Sequence, residues 1–388
     1  MVAPFEGISG ARLQSAVRIL QILQTKGPMP RVQLEELLDV SRPTVTRVVG
    51  RMIERGLVEE TERQITAAGR RPVLLRLRGQ ALYAVGVHIK SSAMYACVTD
   101  LAQQIVFEAS CPLPVLENAA QLEAAVLDFI GSSLARAGVS SERLLCVGIA
   151  SRGIVDNAAG SILRYNDAVH RVDIGRAVTA RYGCSCFVEN NLIINIQGAS
   201  HEGCFVYFYM DEGIGCIVIH DGQVIRGANH LAGKISHMRV YDGTLYARGA
   251  GEYQSLETYA STTAMVKEYA EKRGEQSVTL SELCRRAREA EPCAREVLHS
   301  RLKVLAQVLT NIIEIVNPDT LLLHGKMLEE YPAGAEFLKE EVKKALFLEE
   351  MLPSRWALQD SALIQTERAV AKRAMECGFE ELLAGSKA

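Results

Sequence analysis

Ser41-Arg-Pro-Thr-Val-Thr-Arg-Val-Val-Gly-Arg-Met-Ile53 carries the sharpest local instruction in this 388-residue chain. Ser41 reads as a helix N-cap with proline in the first turn. Val45, Val48, Val49, Met52 and Ile53 follow the i, i+3, i+4, i+7, i+8 spacing of a buried helical stripe. The opposite face holds Pro43, Thr46, Arg47, Gly50 and Arg51. Arginine and threonine near a helix N-terminus reach phosphates and base edges in a major groove. Ser41, Arg42 and Thr44 of the first turn join Thr46, Arg47 and Arg51 as candidate DNA contacts. Gly50 has no side chain and lets a partner backbone approach.

The segments around this helix fit the same reading. Leu13, Ala16, Val17, Leu20 and Leu23 stripe a first helix over 11–26, which Gly27-Pro28-Met29-Pro30 breaks. A second helix runs from Arg31 to Leu38 with Leu34, Leu37 and Leu38 inward, and Asp39-Val40 makes a tight turn. Helix, helix, turn, helix is the helix-turn-helix order. Leu57-Val58-Glu59 and Val73-Leu74-Leu75-Arg76-Leu77 read as two wing strands. Gly69-Arg70-Arg71 between them suits a narrow minor groove or adjacent phosphates, which adds Arg70 and Arg71 to the candidates. A small helical interaction domain with a solvated charged face is the alternative.

Charge separates this head from the rest. The total of −3 conceals 13 Lys+Arg against 8 Asp+Glu in residues 1–80, and 30 against 38 beyond them. A head of +5 on a body of −8 fits a nucleic-acid-binding module joined to something else. With 48% hydrophobic and 23% charged residues the chain is neither disordered nor fibrous. No apolar run is long enough for a membrane span, and the first ten residues lack the pattern of a signal peptide. The ten cysteines include no CxxC pair and read as reduced and mostly buried in a cytoplasmic protein.

From residue 82 strands and helices alternate. Strands are expected at Leu82–Ile89, Met94–Asp100, Gln104–Glu108, Leu144–Ala150, Cys186–Glu189, Phe205–Tyr209 and Cys216–Ile219. Helices are expected at Asn118–Ala137 and near 255–273, 279–289, 291–316, 335–346 and 367–384. That order is α/β. No Pro/Gly/Ser-rich linker interrupts it.

Four segments carry a resemblance. Leu144-Leu-Cys-Val-Gly-Ile-Ala-Ser-Arg-Gly-Ile-Val-Asp156, Val188-Glu-Asn-Asn191, Gly213-Ile-Gly215 and Ala232-Gly-Lys-Ile-Ser-His237 resemble the ROK family of sugar kinases and sugar-responsive repressors. The head resembles its repressor branch. The resemblance implies a two-lobed actin-like, ribonuclease-H-like ATPase fold behind a winged helix-turn-helix. The expected domains are a DNA-binding head over 1–80, a first lobe over 81–197 completed by the C-terminal helix within 363–388, and a second lobe over 198–362.

The body departs from the family where its chemistry lies. Kinases of the family place an acid and a Gly-Gly-Thr loop after the first strand, so that backbone amides approach phosphates. This chain reads His88-Ile-Lys-Ser-Ser92 there, and the family's late Gly-Gly turn reads His324-Gly-Lys326. The family's base is the aspartate of an Asn-Asp pair. The pair here is Asn190-Asn191, and an amide cannot take the sugar proton. Both asparagines can still hydrogen-bond a ligand. In place of Gly-Glu-x-Gly-His stands Gly233-Lys-Ile-Ser-His237, so Lys234 suits an anionic sugar or marks a lost site. The family's zinc needs three cysteines with the histidine, yet 244–257 contains none. No metal and no cofactor are therefore expected. His237 reads as a ligand-site or hydrogen-bonded core histidine. Gly153 and Glu257 match the family pattern and complete the candidate ligand set.

The function expected is a DNA-binding transcriptional regulator, by family habit a repressor of carbohydrate-related genes. Its body binds a sugar, sugar acid or sugar phosphate between the lobes without phosphorylating it. A homodimer or homotetramer would present paired recognition helices to a double-stranded operator. The alternatives are a DNA-binding scaffold blind to effectors and an active sugar kinase.

Overall fold

The computed structural model describes residues 10–61, 65, 66, 69, 70, 73–196, 202–240 and 255–385; the side chains of 10, 11, 65, 66, 69, 70, 362 and 382–385 are left aside. Helix α1 (Gly10–Lys26) buries Leu13, Ala16, Val17, Ile19, Leu20 and Leu23 along its apolar stripe. Helices α2 (Arg31–Leu38) and α3 (Arg42–Glu54) follow, separated by Asp39 in left-handed backbone. In α2 only Leu34 and Leu38 are buried. Leu37, expected inward, is 39% exposed. Residues four apart stack on one helix face, and position 37 falls to the edge of that stripe.

The wing is β1 (Val58–Glu60), a two-stranded tip of β2 (Ile65–Thr66) and β3 (Gly69–Arg70), and β4 (Leu75–Leu77). Val58 pairs with Leu77 and Glu60 with Leu75, antiparallel. The first main strand is displaced by one residue from the expected 57–59, and the second keeps only the last three residues of the expected 73–77. Leu57 is still committed to closing α3, its N–H bonded to the Met52 carbonyl at 2.9 Å.

The chain divides into two compact units, Met1–Asn195 with Gln365–Ala388, and Ile196–Ile364. Beyond the head, the first unit runs β5 (Tyr83–Ile89), β6 (Ala93–Asp100), β7 (Ile105–Pro112), α4 (Ala119–Ala137), β8 (Leu144–Ser151), β9 (Ile154–Asp156), β10 (Ser161–Arg164), β11 (His170–Val172), α5 (Ile174–Tyr182), β12 (Ser185–Asn190) and α6 (Asn191–Ile196). Its main sheet has the order β12-β8-β5-β6-β7. Strands β12, β8 and β5 are parallel, and β6 and β7 return antiparallel. The small sheet β11-β10-β9 was not foreseen, since three- and four-residue strands carry little alternation.

The second unit runs β13 (Cys204–Met210), β14 (Ile214–His220), β15 (Gln223–Val224), α7 (Leu256–Ala260), α8 (Thr262–Arg273), α9 (Leu280–Arg288), α10 (Pro292–Val316), β16 (Thr320–His324), α11 (Lys326–Glu330), α12 (Pro332–Ala345) and β17 (Arg355–Leu358). Its sheet order is β15-β14-β13-β16-β17. The single helix expected near 255–273 is two. Ser261 is extended, ends α7, and caps α8 through its hydroxyl, which accepts from the Ala264 N–H at 3.3 Å. Helix α12 starts at Pro332 rather than 335, because proline suits a first turn.

The last helix, α13 (Thr366–Gly385), returns to the first unit. It lies against backbone. A Cβ at Gly86 would stand 2.2 Å from the Glu367 carbonyl, and one at Gly148 would stand 2.6 Å from the Val370 carbonyl. Only glycine admits that approach. Farther along, Ala374, Met375, Cys377 and Phe379 enter one core with Leu13, Leu20, Met52 and Leu57 of the head, and with Leu82, Ala84, Leu101 and Leu145 of the sheet. The Gln24 amide adds a 2.7 Å hydrogen bond to the Leu101 carbonyl. The head is thus built into the first unit.

Candidate nucleic-acid interface and effector site

Helix α3 presents its face as the residue order dictates. Ser41 occupies the N-cap position, and its carbonyl accepts from the N–H groups of Thr44 and Val45 at 2.9 and 3.2 Å. Its hydroxyl pairs with the Thr44 hydroxyl at 2.9 Å instead of capping the backbone. Val45, Val48, Val49 and Met52 are buried, which turns Ser41, Arg42, Thr46, Arg47 and Arg51 to solvent and leaves Thr44 half-buried. A Cβ at Gly50 would meet nothing within 4 Å, so that face stays open. Arg42 lies 3.8 Å from Glu35 of α2. Arg47 and Arg51 are paired with no carboxylate among the described residues. Gly69 and Arg70 pair with Thr66 and Ile65 in the wing tip. The Arg70 side chain and Arg71 lie outside the described residues.

In the first unit, β8 runs into a turn at Gly153. There φ is +82°, and a Cβ would stand 2.0 Å from the Arg164 carbonyl. The Gly153 carbonyl accepts from the Asn190 side-chain amide at 3.0 Å. The Asn190 side-chain carbonyl accepts from the Leu192 N–H at 3.0 Å, and its own N–H donates to Glu189 at 2.8 Å. Asn190 therefore braces the turn after β8. Asn191, half-buried at the start of α6, is placed beside it. At the end of β5, His88 is 4% exposed. Burial, helped by the Lys90 charge, lowers its pKa to about 3, so the imidazole is neutral. The Tyr165 hydroxyl donates to the Lys90 carbonyl at 2.5 Å.

In the second unit, the Gly233 carbonyl accepts from Cys216 at 3.0 Å and from Ile235 at 2.9 Å. Just beyond, the Met238 N–H donates to the Ile235 carbonyl at 2.9 Å and closes a 3-10 turn over Ile235–His237. Lys234 is half-buried, and His237 is exposed and thus no core histidine. Glu257 of α7 accepts from the Ile214 N–H at 3.2 Å, which ties it to the hairpin at Gly213-Ile-Gly215. At the end of β16, His324 is buried and hydrogen-bonded to the Tyr207 hydroxyl, with Ser361 on its other nitrogen at 3.3 Å. A cavity of about 680 Å³ opens beside α8, lined by Asp211, Thr262, Val266, Glu271, Val278 and Lys326 among others. Burial raises the Asp211 pKa. Among the described residues no group of three or more His, Cys, Asp or Glu could hold a metal ion. Most of 244–257, the segment at the family's zinc cysteines, lies outside the described residues.

The family model described as ROK family matches residues 84–361. The chain belongs to the ROK family. A MarR family model matches residues 7–71, ahead of the ROK body. A xylose repressor of Bacillus subtilis (strain 168) is 24% identical over 349 residues, covering 87% of this ROK chain and 89% of that protein. The DNA-binding transcriptional dual regulator NagC of Escherichia coli (strain K12) is 26% identical over 337 residues, 82% of this chain and 81% of its own. A crystal structure of a ROK family transcriptional regulator, a homolog of the E. coli MLC protein, superposes with a TM-score of 0.74 at 17% identity over 97% of this chain and 98% of the other. That likeness shows the fold.

The ROK body holds its candidate ligand residues as two sets. Gly153, Asn190 and Asn191 belong to the first unit, and Lys234, His237 and Glu257 to the second. In the first set Asn190 meets Gly153 through a 3.0 Å hydrogen bond, and in the second Glu257 is bonded to Ile214. Asn190 and Glu257 are braces for backbone turns, a duty their motif positions did not announce. Arg152 stands in the Leu144–Asp156 segment with no role of its own in the family pattern; only the strand register shows which residues stand beside it. Among the described residues no helix is long and apolar enough to cross a membrane.

Proposed function

We propose that this ROK chain is a DNA-binding transcriptional regulator, a repressor of carbohydrate-related genes, whose body binds a sugar or anionic sugar derivative without phosphorylating it. The observation that carries the reading is α3. Its apolar stripe is buried, and Arg47 and Arg51 project from the opposite face without a carboxylate partner among the described residues. A free cationic face on a winged helix suits phosphates and base edges. The xylose repressor and NagC names of its relatives support the same reading. For the body, position 191 holds an amide where a kinase of this family needs a base, so the fold's substrate grip serves as a sensor. A homodimer or homotetramer in the cytoplasm reads a double-stranded operator. An effector acts by binding the operator-competent and operator-incompetent states with different affinity.

Fluorescence anisotropy with DNA upstream of the chain's own gene and of neighbouring sugar genes tests this. Salt-sensitive, sequence-selective binding that a sugar or sugar derivative reverses is expected. Failure to select any fragment sinks the regulator reading, and operator binding indifferent to a broad sugar panel leaves a scaffold. Sugar-dependent ATP turnover that falls with Glu257→Gln restores the kinase.

A further inference from the structure

Three parallel strands of the first unit end side by side. Ile89 of β5 is the partner of Ser151 of β8, and Ser151 is the partner of Asn190 of β12. The next residues along these strands are Lys90, Arg152 and Asn191. A lysine, an arginine and an amide therefore occupy adjacent strand ends, with neighbouring chains about 5 Å apart. The carboxyl ends of parallel strands are where open α/β sheets take their ligands.

Lys90 is exposed and Arg152 half-buried, and neither forms an ion pair among the described residues. The nearby acids Glu189, Asp173 and Asp167 make bonds of their own. Glu189 accepts from the Asn190 N–H at 2.8 Å, Asp173 from the Ser161 hydroxyl at 2.8 Å, and Asp167 pairs with Arg164 at 2.5 Å. Glu367 faces His88 at 4.0 Å. The Tyr165 hydroxyl fixes the loop by its bond to the Lys90 carbonyl, and the Lys90 ammonium rests 5.2 Å from the Tyr95 ring centroid. Two residues back on β5, and so on the same side of the strand, the Nε2 of His88 is buried without a hydrogen-bond partner. Like charges at neighbouring strand ends repel one another, and an anion between them relieves that repulsion.

We infer that Lys90, Arg152 and Asn191 form an anion subsite for the carboxylate or phosphate of the effector, which makes the effector a sugar acid or sugar phosphate. The guanidinium offers two parallel N–H donors to such a group, the ammonium a mobile charge, and the amide a neutral donor. This assignment rests on the effector-binding reading above and narrows it.

The full-length protein is titrated with inorganic phosphate and followed by phosphorus NMR line-broadening and by thermal shift. Glucose, glucose 6-phosphate and glucuronate are run at equal concentration. Saturable phosphate binding is expected, weakened at least about tenfold in Lys90→Gln and in Arg152→Gln. Lys90→Arg retains it, and Lys303→Gln on α10 leaves it unchanged. The anionic sugars raise the melting temperature more than glucose does, following RT ln(1 + [L]/Kd); the larger rise distinguishes phosphate from carboxylate. Circular dichroism confirms that each variant is folded.

Undiminished phosphate binding in both glutamine variants overturns the subsite. So does binding that disappears with Arg47→Ala or Arg51→Ala instead, or none at all in the wild type. Operator binding measured in parallel keeps the two readings apart. If neutral sugars release the operator and anions do not, the regulator stands and the subsite falls. If no operator is bound while phosphate affinity tracks Lys90 and Arg152, the subsite stands and the regulator falls.

Discussion

The Thr366 hydroxyl donates a 2.7 Å hydrogen bond to the side-chain carbonyl of Asn195. The chain leaves the first unit after Asn195 and re-enters it at Gln365. One bond therefore pins the exit to the return. Thr366 is only 3% exposed, so its loss leaves an acceptor short of a partner. Thr366→Val is expected to cost about 1 kcal/mol, read as an earlier urea midpoint by tryptophan-independent circular dichroism.

Arg47 and Arg51 stand on the open face of α3, and removing either leaves the buried stripe untouched. Arg47→Ala and Arg51→Ala should each weaken operator binding roughly 10- to 100-fold, with unchanged thermal stability. A residue that contacts phosphate lowers the salt slope by about one, whereas a base-reading residue relaxes sequence preference. Anisotropy titrations at several salt concentrations, with mutated operators, separate the two roles.

Gly153 and Asn190 form one device, a left-handed turn held by a side-chain amide. Gly153→Ala forces a Cβ toward the Arg164 carbonyl at a left-handed φ and should cost about 2 kcal/mol or more. Asn190→Ala removes bonds to Gly153 and Leu192 and should cost about as much. The double variant should lose less than the sum, since the turn is already undone. Additive losses in a double-mutant cycle would show that the two act separately.

His88 ties stability to pH. Its ordinary pKa of 6.5 is lowered to about 3 in the folded chain, first by burial and then by Lys90. The unfolded chain takes up a proton near 6.5 that the folded chain refuses. Stability from this group is complete above about pH 6.5 and is lost as pH falls toward 3, by up to about 1.4 kcal/mol per unit. Around it stand Lys90, Glu367 and Tyr95. Denaturant unfolding between pH 7.5 and 5 should show the decline, and His88→Gln should flatten it. An equal slope in the variant assigns the dependence to other groups.

The head was legible because each of its helices states its own boundaries. Gly27-Pro28-Met29-Pro30 stops α1, and Ser41 with Pro43 starts α3. The long strands β5, β8 and β13 were legible as continuous apolar runs, which is what burial on both faces demands. The sheet over 154–172 was not, because three-residue strands are held by their neighbours rather than by pattern. The break at Ser261 was hidden too, since α7 and α8 are both periodic and only the extended serine parts them. Motifs located Gly153, Asn190 and Glu257 but gave no hint that two of them spend their hydrogen bonds on backbone. Register, which sequence states least, was what set Arg152 beside Lys90.

The core that α13 shares with the head bears on how such a chain is cut and joined. Phe379, more than 300 residues from Leu13 in sequence, packs in the same cluster. A fragment ending near residue 80 would expose the apolar surface that Leu82, Leu145 and Phe379 now cover. A foreign body grafted behind this head would have to supply matching side chains. Limited proteolysis should accordingly release no free reader, and chimeras should succeed only when the C-terminal helix travels with the head.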